Sequence, residues 1–233
     1  SYSLKLNETY AMGVTMRYIR SDLGIESTNS TIKPVSTFAV DISGYFQSDE
    51  KNYGNFNGVW RGGYNISNIG PKVSYTDDGQ DNYIPTNLRI GGGFDFIMDS
   101  YNKVSVNLEF NKLLVPTPSV SLNGDGEAPY IQEDSSFISG IFSSFGDAPG
   151  GFSEELKEFT WALGAEYVYD NSFALRAGYF NESDLKGARK YFTIGSGFKF
   201  KSSKLDISYL FNASDINNPL ENTLRFSLAF DFG

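Results

Sequence analysis

Residues 222–232 read NTLRFSLAFDF, so Leu224, Phe226, Leu228, Phe230 and Phe232 fall on one side of an extended chain, and Thr223, Arg225, Ser227, Ala229 and Asp231 on the other. Strict period-2 alternation predicts a β-strand with one apolar and one polar face. The pattern recurs in eleven segments, at 1–6, 10–20, 37–47, 54–66, 86–97, 103–113, 159–169, 172–181, 190–201, 204–211 and 222–232. In the second, Tyr10, Met12, Val14, Met16 and Tyr18 share a side. In the fifth, Leu88, Ile90, Phe94 and Phe96 oppose Arg89, Gly91, Gly93 and Asp95, and in the seventh Trp161, Leu163, Ala165 and Tyr167 oppose Ala162, Gly164, Glu166 and Val168. A soluble sheet can also be two-faced. Repetition along the whole chain, at the roughly 9–11 residues a tilted strand needs to cross a bilayer, instead predicts an all-β chain forming the wall of a transmembrane antiparallel β-barrel.

The connections support this assignment. Short ones, at 7–9, 48–53, 99–102, 170–171 and 202–203, alternate with longer ones at 21–36, 67–85, 114–158, 182–189 and 212–221. Outer-membrane barrels have short periplasmic turns and longer extracellular loops. A periplasmic C-terminus therefore puts every short turn inside and every long loop outside the cell. Bacterial barrels have an even number of strands. Eleven is odd, and no signal peptide opens the chain, so the reading is that residues 1–233 are the C-terminal portion of one barrel domain, with at least one further strand preceding them.

Composition changes the picture only in places. There are 20 Phe and 15 Tyr, enough for aromatic girdles at both membrane interfaces. No apolar run reaches the roughly 18 residues of a transmembrane helix, which carries no weight in a barrel. A net charge of −9 disfavours nucleic acid as a partner. The polar face mixes signs, with Arg17, Asp41, Arg61, Asp95, Glu166, Arg176 and Asp206 among its charges, which predicts a cross-linked or plugged lumen rather than an ion-selective pore. With no His and no Cys, these residues cannot form a Ser-His-Asp triad, a Cys-His pair or a His-ligated zinc site. The acidic run Asp77, Asp78, Asp81 lacks the spacing of a calcium loop. Gly91-Gly92-Gly93 and Gly195-Ser196-Gly197 lie inside strands, where a phosphate loop needs a following helix. No catalytic, metal or cofactor site is expected.

The loop 114–158 stands apart, since a connection this long in a compact fold is usually functional or disordered. Phe137, Ile138, Ile141, Phe142 and Phe145 follow i, i+1, i+4, i+5, i+8, a one-sided helical stripe. A second short helix is predicted over 153–158, with Ser153 as its N-cap. Acids dominate the loop, including Glu133, Asp134, Asp147, Glu154, Glu155 and Glu158. The stripe fits two roles: a lid packed on the barrel mouth, or a docking surface for another protein.

Seven strings carry a family resemblance: NIGPKVSY (68–75), PTNLR (85–89), NKLLVPTP (111–118), DAPGGFSEEL (147–156), ALRAGYF (174–180), GARKYFT (187–193) and NPLENTLRFS (218–227). Spread over the whole chain, they resemble the PorV family, outer-membrane shuttle proteins of the type IX secretion system. The resemblance implies a FadL-like fold, a fourteen-stranded barrel of which this chain supplies about the last eleven strands, with the first strands and a plug region preceding them. It implies no enzymatic activity and no cofactor. The implied partners are the giant translocon barrel, whose lateral opening the family helps to close, secreted cargo carrying a C-terminal signal domain, the sortase-like attachment complex, and membrane lipid with lipopolysaccharide. Candidate partner-binding residues are Phe137, Ile138, Ile141, Phe142 and Phe145, joined by Phe152 in the matching string 147–156. The alternative is a FadL-like transporter of fatty acids or other hydrophobic molecules, which would need an apolar pocket within the barrel; a general porin would need a conducting lumen.

Overall fold

In the computed structural model, residues 1–23, 33–75, 81–117, 119–120, 130–131, 136–214 and 221–231 are described. The wall is built from eleven strands: β1 (Tyr2–Lys5), β2 (Tyr10–Ser21), β3 (Val35–Gln47), β5 (Asn57–Ile69), β6 (Asn87–Ile97), β7 (Asn102–Leu113), β10 (Thr160–Tyr169), β11 (Phe173–Asn181), β12 (Lys190–Phe200), β13 (Ser203–Asn212) and β14 (Leu224–Phe230). Three two-residue strands complete the set: β4 (Lys51–Asn52), paired with β5, and the β8 (Ser119–Val120)–β9 (Tyr130–Ile131) ladder inside the long loop. Each wall strand pairs antiparallel with its neighbour along the chain, and the sheet remains open, with β1 and β14 at its edges.

All eleven alternating segments are strands. The largest shift in bounds is β5, expected over 54–66 and observed as Asn57–Ile69. At its start, Tyr53 bonds back to Phe56 and the first residues form a tight turn after β4. At its end the β3–β5 register slips between Val40 and Ile42. There Asn68 adopts φ 58° and donates its backbone N–H to Asp41 Oδ1 at 2.9 Å. An extra residue in one strand of a ladder is a β-bulge, and an aspartate acceptor satisfies the amide it displaces.

The short turns use local chemistry. Asn7 and Asp99 each accept two backbone N–H bonds from residues two and three ahead. Asp170 and Asn171 both have positive φ, the requirement of a two-residue hairpin turn whose twist matches the strands.

The register carries the alternation across the sheet. One row runs Tyr10, Phe46, Gly62, Gly92, Leu108, Leu163, Tyr179, Phe192, Phe211 through directly opposed positions on successive strands. This apolar face is largely uncovered: Met16 is 70 % and Phe226 67 % exposed. Among the described residues the buried apolar set is mostly small, with Ala39, Ala174 and Ala188 in it. A water-soluble domain buries its large side chains; this one displays them, as a lipid-facing wall does. Aromatics cluster towards both strand ends, with Trp161–Tyr179 and Tyr179–Phe192 centroids 5.4 and 4.7 Å apart at the long-loop end and Phe173–Phe198 at 5.1 Å near the short turns.

The opposite face is cross-linked by charge. Arg17 meets Asp41, Arg61 meets Asp95, and Arg176 bridges Glu166 and Asp206 at 2.5 and 2.7 Å. Arg176 reaches across β12 to Asp206 because Gly197, directly opposite Asp206, leaves the space free. A Cβ there would lie 2.6 Å from Asp206 Oδ1 and 2.9 Å from Arg176 Nη1.

Candidate partner-binding loop

The described part of the long loop is mounted on the wall by one lysine. Along β7, Val104, Val106, Leu108, Phe110 and Lys112 alternate onto the apolar face, so Lys112 is a cation at the end of a lipid-facing row. It is fully buried. Its ammonium donates to Glu155 Oε1 at 2.6 Å and Glu158 Oε2 at 2.7 Å, and the rings of Phe159 and Phe145 lie 5.4 and 5.9 Å from it. A buried charge is tolerable only when paired and hydrogen-bonded.

Glu155 and Glu158 come from α2 (Phe152–Glu155) and the 3-10 turn Leu156–Glu158 that follows it. The N-cap lies two residues earlier than expected, at Gly151 rather than Ser153. No side chain caps α2; the Glu154 carboxylate folds back to accept the Gly150 N–H, just ahead of the helix, at 2.7 Å. Gly151, at φ 69°, supplies the left-handed entry. Lys186, from the loop between β11 and β12, bridges Glu154 and Glu158 at 3.1 and 3.0 Å. That loop is closed by a bidentate pair, Arg189 with Glu182, at 2.7 and 2.8 Å.

These contacts set the acidity of the cluster. Burial alone would raise the Glu158 carboxyl, but hydrogen bonds and charge from Lys112 and Lys186 outweigh it and hold the group below the ordinary glutamate range. The Gly150 amide, then Lys186, lower Glu154; the Arg189 guanidinium lowers Glu182. Asp147, Glu155 and Glu158 bring carboxylate oxygens within 4.8 Å of one another. The Lys112 ammonium already bridges two of the three, so the positive charge this cluster requires is supplied from within the chain.

The stripe residues divide. α1 (Phe137–Ser143) is capped by Ser136, whose hydroxyl accepts the Ser139 N–H at 3.2 Å. Gly140 is its buried point: a Cβ there would stand 2.7 Å from Tyr83 Cε1 and 3.1 Å from Pro116 Cγ, so the helix backbone rests on those two side chains. Asp147 ties the loop's start to its end by accepting the Thr117 N–H at 2.7 Å. Phe137 and Ile141 are half-buried, whereas Ile138, Phe142 and Phe145 are exposed, Phe142 by 73 %. Phe145 lies past the helix end. The stripe is therefore split: Phe137 and Ile141 lie beside the packed side of Gly140 and Ser144, whereas Ile138 and Phe142 face away from it. Phe152, on α2, is 77 % exposed. Glu133 and Asp134 lie outside the described residues, as do Asp77 and Asp78.

Lys112 and Lys186 were not singled out by sequence reasoning, and Asp147 only as one of the loop's acids. A signal for Lys112 existed, since it breaks the apolar register of β7. Nothing in the local sequence marks Lys186, whose partners lie 28 and 32 positions away.

Residues 1–120 match the family described as Type IX secretion system protein PorV. The matched region runs from β1 through β8 and includes Lys112. Comparison with curated proteins finds no match.

Proposed function

The chain belongs to the PorV family, an outer-membrane component of the type IX secretion system, and from that premise we propose that it binds secreted proteins carrying a C-terminal signal domain, helps close the translocon's lateral opening and passes cargo to the surface attachment complex. In this reading the chain is a portion of one barrel domain, its long loops are extracellular and its C-terminus periplasmic. Protein contacts are made by α1 through Ile138, Phe142 and Phe145, with Phe137 and Ile141 shaping the base of the same surface.

The observation that carries this is the exposure of large apolar side chains on a short, capped helix whose opposite side is packed. Exposed aromatics on a rigid mount suit a docking surface, because a few large anchors dominate interface energy. The runner-up, a FadL-like carrier of hydrophobic molecules, is less well supported. The open groove of about 450 Å³ over Gly63, Gly91 and Gly93 has the charges of Arg61, Arg89 and Glu109 among its lining, beside Tyr45, Tyr64 and Leu108, and a carrier of hydrophobic molecules would have to bury those charges against its cargo.

The test is purification of the full-length protein in mild detergent from its native outer membrane, with mass spectrometry of what accompanies it. A giant barrel or signal-bearing secreted proteins supports the proposal. Recovery alone with stoichiometric fatty acid overturns it in favour of the transporter.

A further inference from the structure

The register of β7 fixes the side of the wall on which the long loop lies. Lys112 belongs to the lipid-facing row, two residues beyond Phe110 and opposite Leu88. Phe159, whose ring stands over its ammonium, continues the outward row of Trp161 and Leu163. A segment that buries Lys112 from that side has turned outwards over the rim. The 3-10 turn and α2 do so through Glu155 and Glu158, and Lys186 ties the β11–β12 loop to the same acids. On the segments joined in this way, Phe152, Leu156 and Leu185 are 77 %, 55 % and 72 % exposed.

We propose that Phe152, Leu156 and Leu185 form a shelf that lies in the membrane interface, with bilayer lipid as its occupant. The argument is continuity with the lipid-facing wall. The Trp161–Tyr179–Phe192 aromatic group begins two residues below Phe159 on the same face, a step of about 7 Å along a strand. Tryptophan and tyrosine mark the headgroup level, and the headgroup layer is roughly 5–8 Å deep on each side of the bilayer, so side chains one step above them and on their side meet the outer part of that layer. Apolar residues at that depth gain by leaving water, as in interfacial helices. In the orientation proposed above, this is the outer leaflet. The shelf rests on the wall being transmembrane, not on any role in secretion.

The 233 residues contain no cysteine, which suits site-directed nitroxide labelling of the full-length protein in phospholipid nanodiscs. Labels are placed at Leu185→Cys and Phe152→Cys, at Leu163→Cys as a wall reference and at Asp49→Cys as a water reference. The readout is the ratio of collision rates with oxygen, which concentrates in lipid, to those with a water-soluble nickel chelate. The expected result is a ratio at 152 and 185 shifted from the Asp49→Cys value towards the Leu163→Cys value. A lipid-like ratio at 163 with water-like ratios at 152 and 185 overturns the shelf and leaves the wall intact. Water-like ratios at all four overturn both. Chelate access at 152 and 185 that disappears only when a co-purified protein is added makes this a protein dock and overturns the lipid assignment.

Discussion

The Lys112 ammonium and the Glu155 carboxylate lie 2.6 Å apart, both buried, one at the end of a lipid-facing strand row and the other on a helix 43 residues later. Of that carboxylate's two oxygens, Oε2 has no hydrogen-bond partner, which makes Glu155 dependent on Lys112. Removing one partner from a buried pair costs about 3–5 kcal/mol because the other is left charged and unpaired. Lys112→Met should therefore release the loop while leaving the wall formed. The expected readout is rapid proteolysis within 136–158, with the β-sheet circular dichroism unchanged. Adding Glu155→Leu should restore part of the protection.

The same cluster predicts acid sensitivity. Glu158, Glu154 and Glu182 have folded-state acidities displaced below the ordinary value of 4.5. A depressed carboxyl stabilises the folded form above its unfolded pKa, and that contribution is lost as pH falls through the lower, folded value. Hydrogen-exchange protection at 150–158 and 182–189 should hold steady at neutral pH and decline only below 4.5, ahead of the wall strands. Protection that instead fell as pH rose from 7 to 9 would contradict the assignment.

Gly197→Val should separate Arg176 from Asp206, since the new Cβ occupies the space their bond crosses. The pair is about one-third exposed, so the electrostatic loss is modest, about 1 kcal/mol or less. Gly164→Ala is the matched control on the same face, where a Cβ meets nothing within 4 Å. The thermal transition of the folded barrel on semi-native gels should drop for Gly197→Val and stay level for Gly164→Ala.

For the docking surface, Phe142→Ala should weaken cargo or translocon recovery by a hot-spot amount, about 2 kcal/mol or roughly thirtyfold, with no loss of stability, because the side chain is exposed. Gly140→Val should do the reverse, lifting α1 off Tyr83 and Pro116. Undiminished recovery with Phe142→Ala, measured by quantitative mass spectrometry, would exclude α1 as the contact.

The wall was legible because its physics is one-dimensional. Alternation from Leu224 to Phe230 needs no knowledge of what pairs with it, and loop-length parity supplied an independent check on the strand assignments. The bulge at Asn68 was not legible, since it answers to Asp41 on another strand. In the loop, the apolar stripe was visible, but which side of it packs depended on Tyr83 and Pro116, and α2 starts after Gly151, whose positive φ turns the chain into it. Lys112 did not stand out in the sequence because the acids that pair with it lie 43 and 46 positions away.

A wall that turns most of its exposed large apolar side chains outwards has an unusual relation to its surroundings. Most proteins bring their own oil; here the bilayer completes the fold, and the chain contributes the half of the contact that faces it. Membrane thickness and composition thereby become structural parameters of this protein, as consequential as a substitution at Leu108 or Phe226.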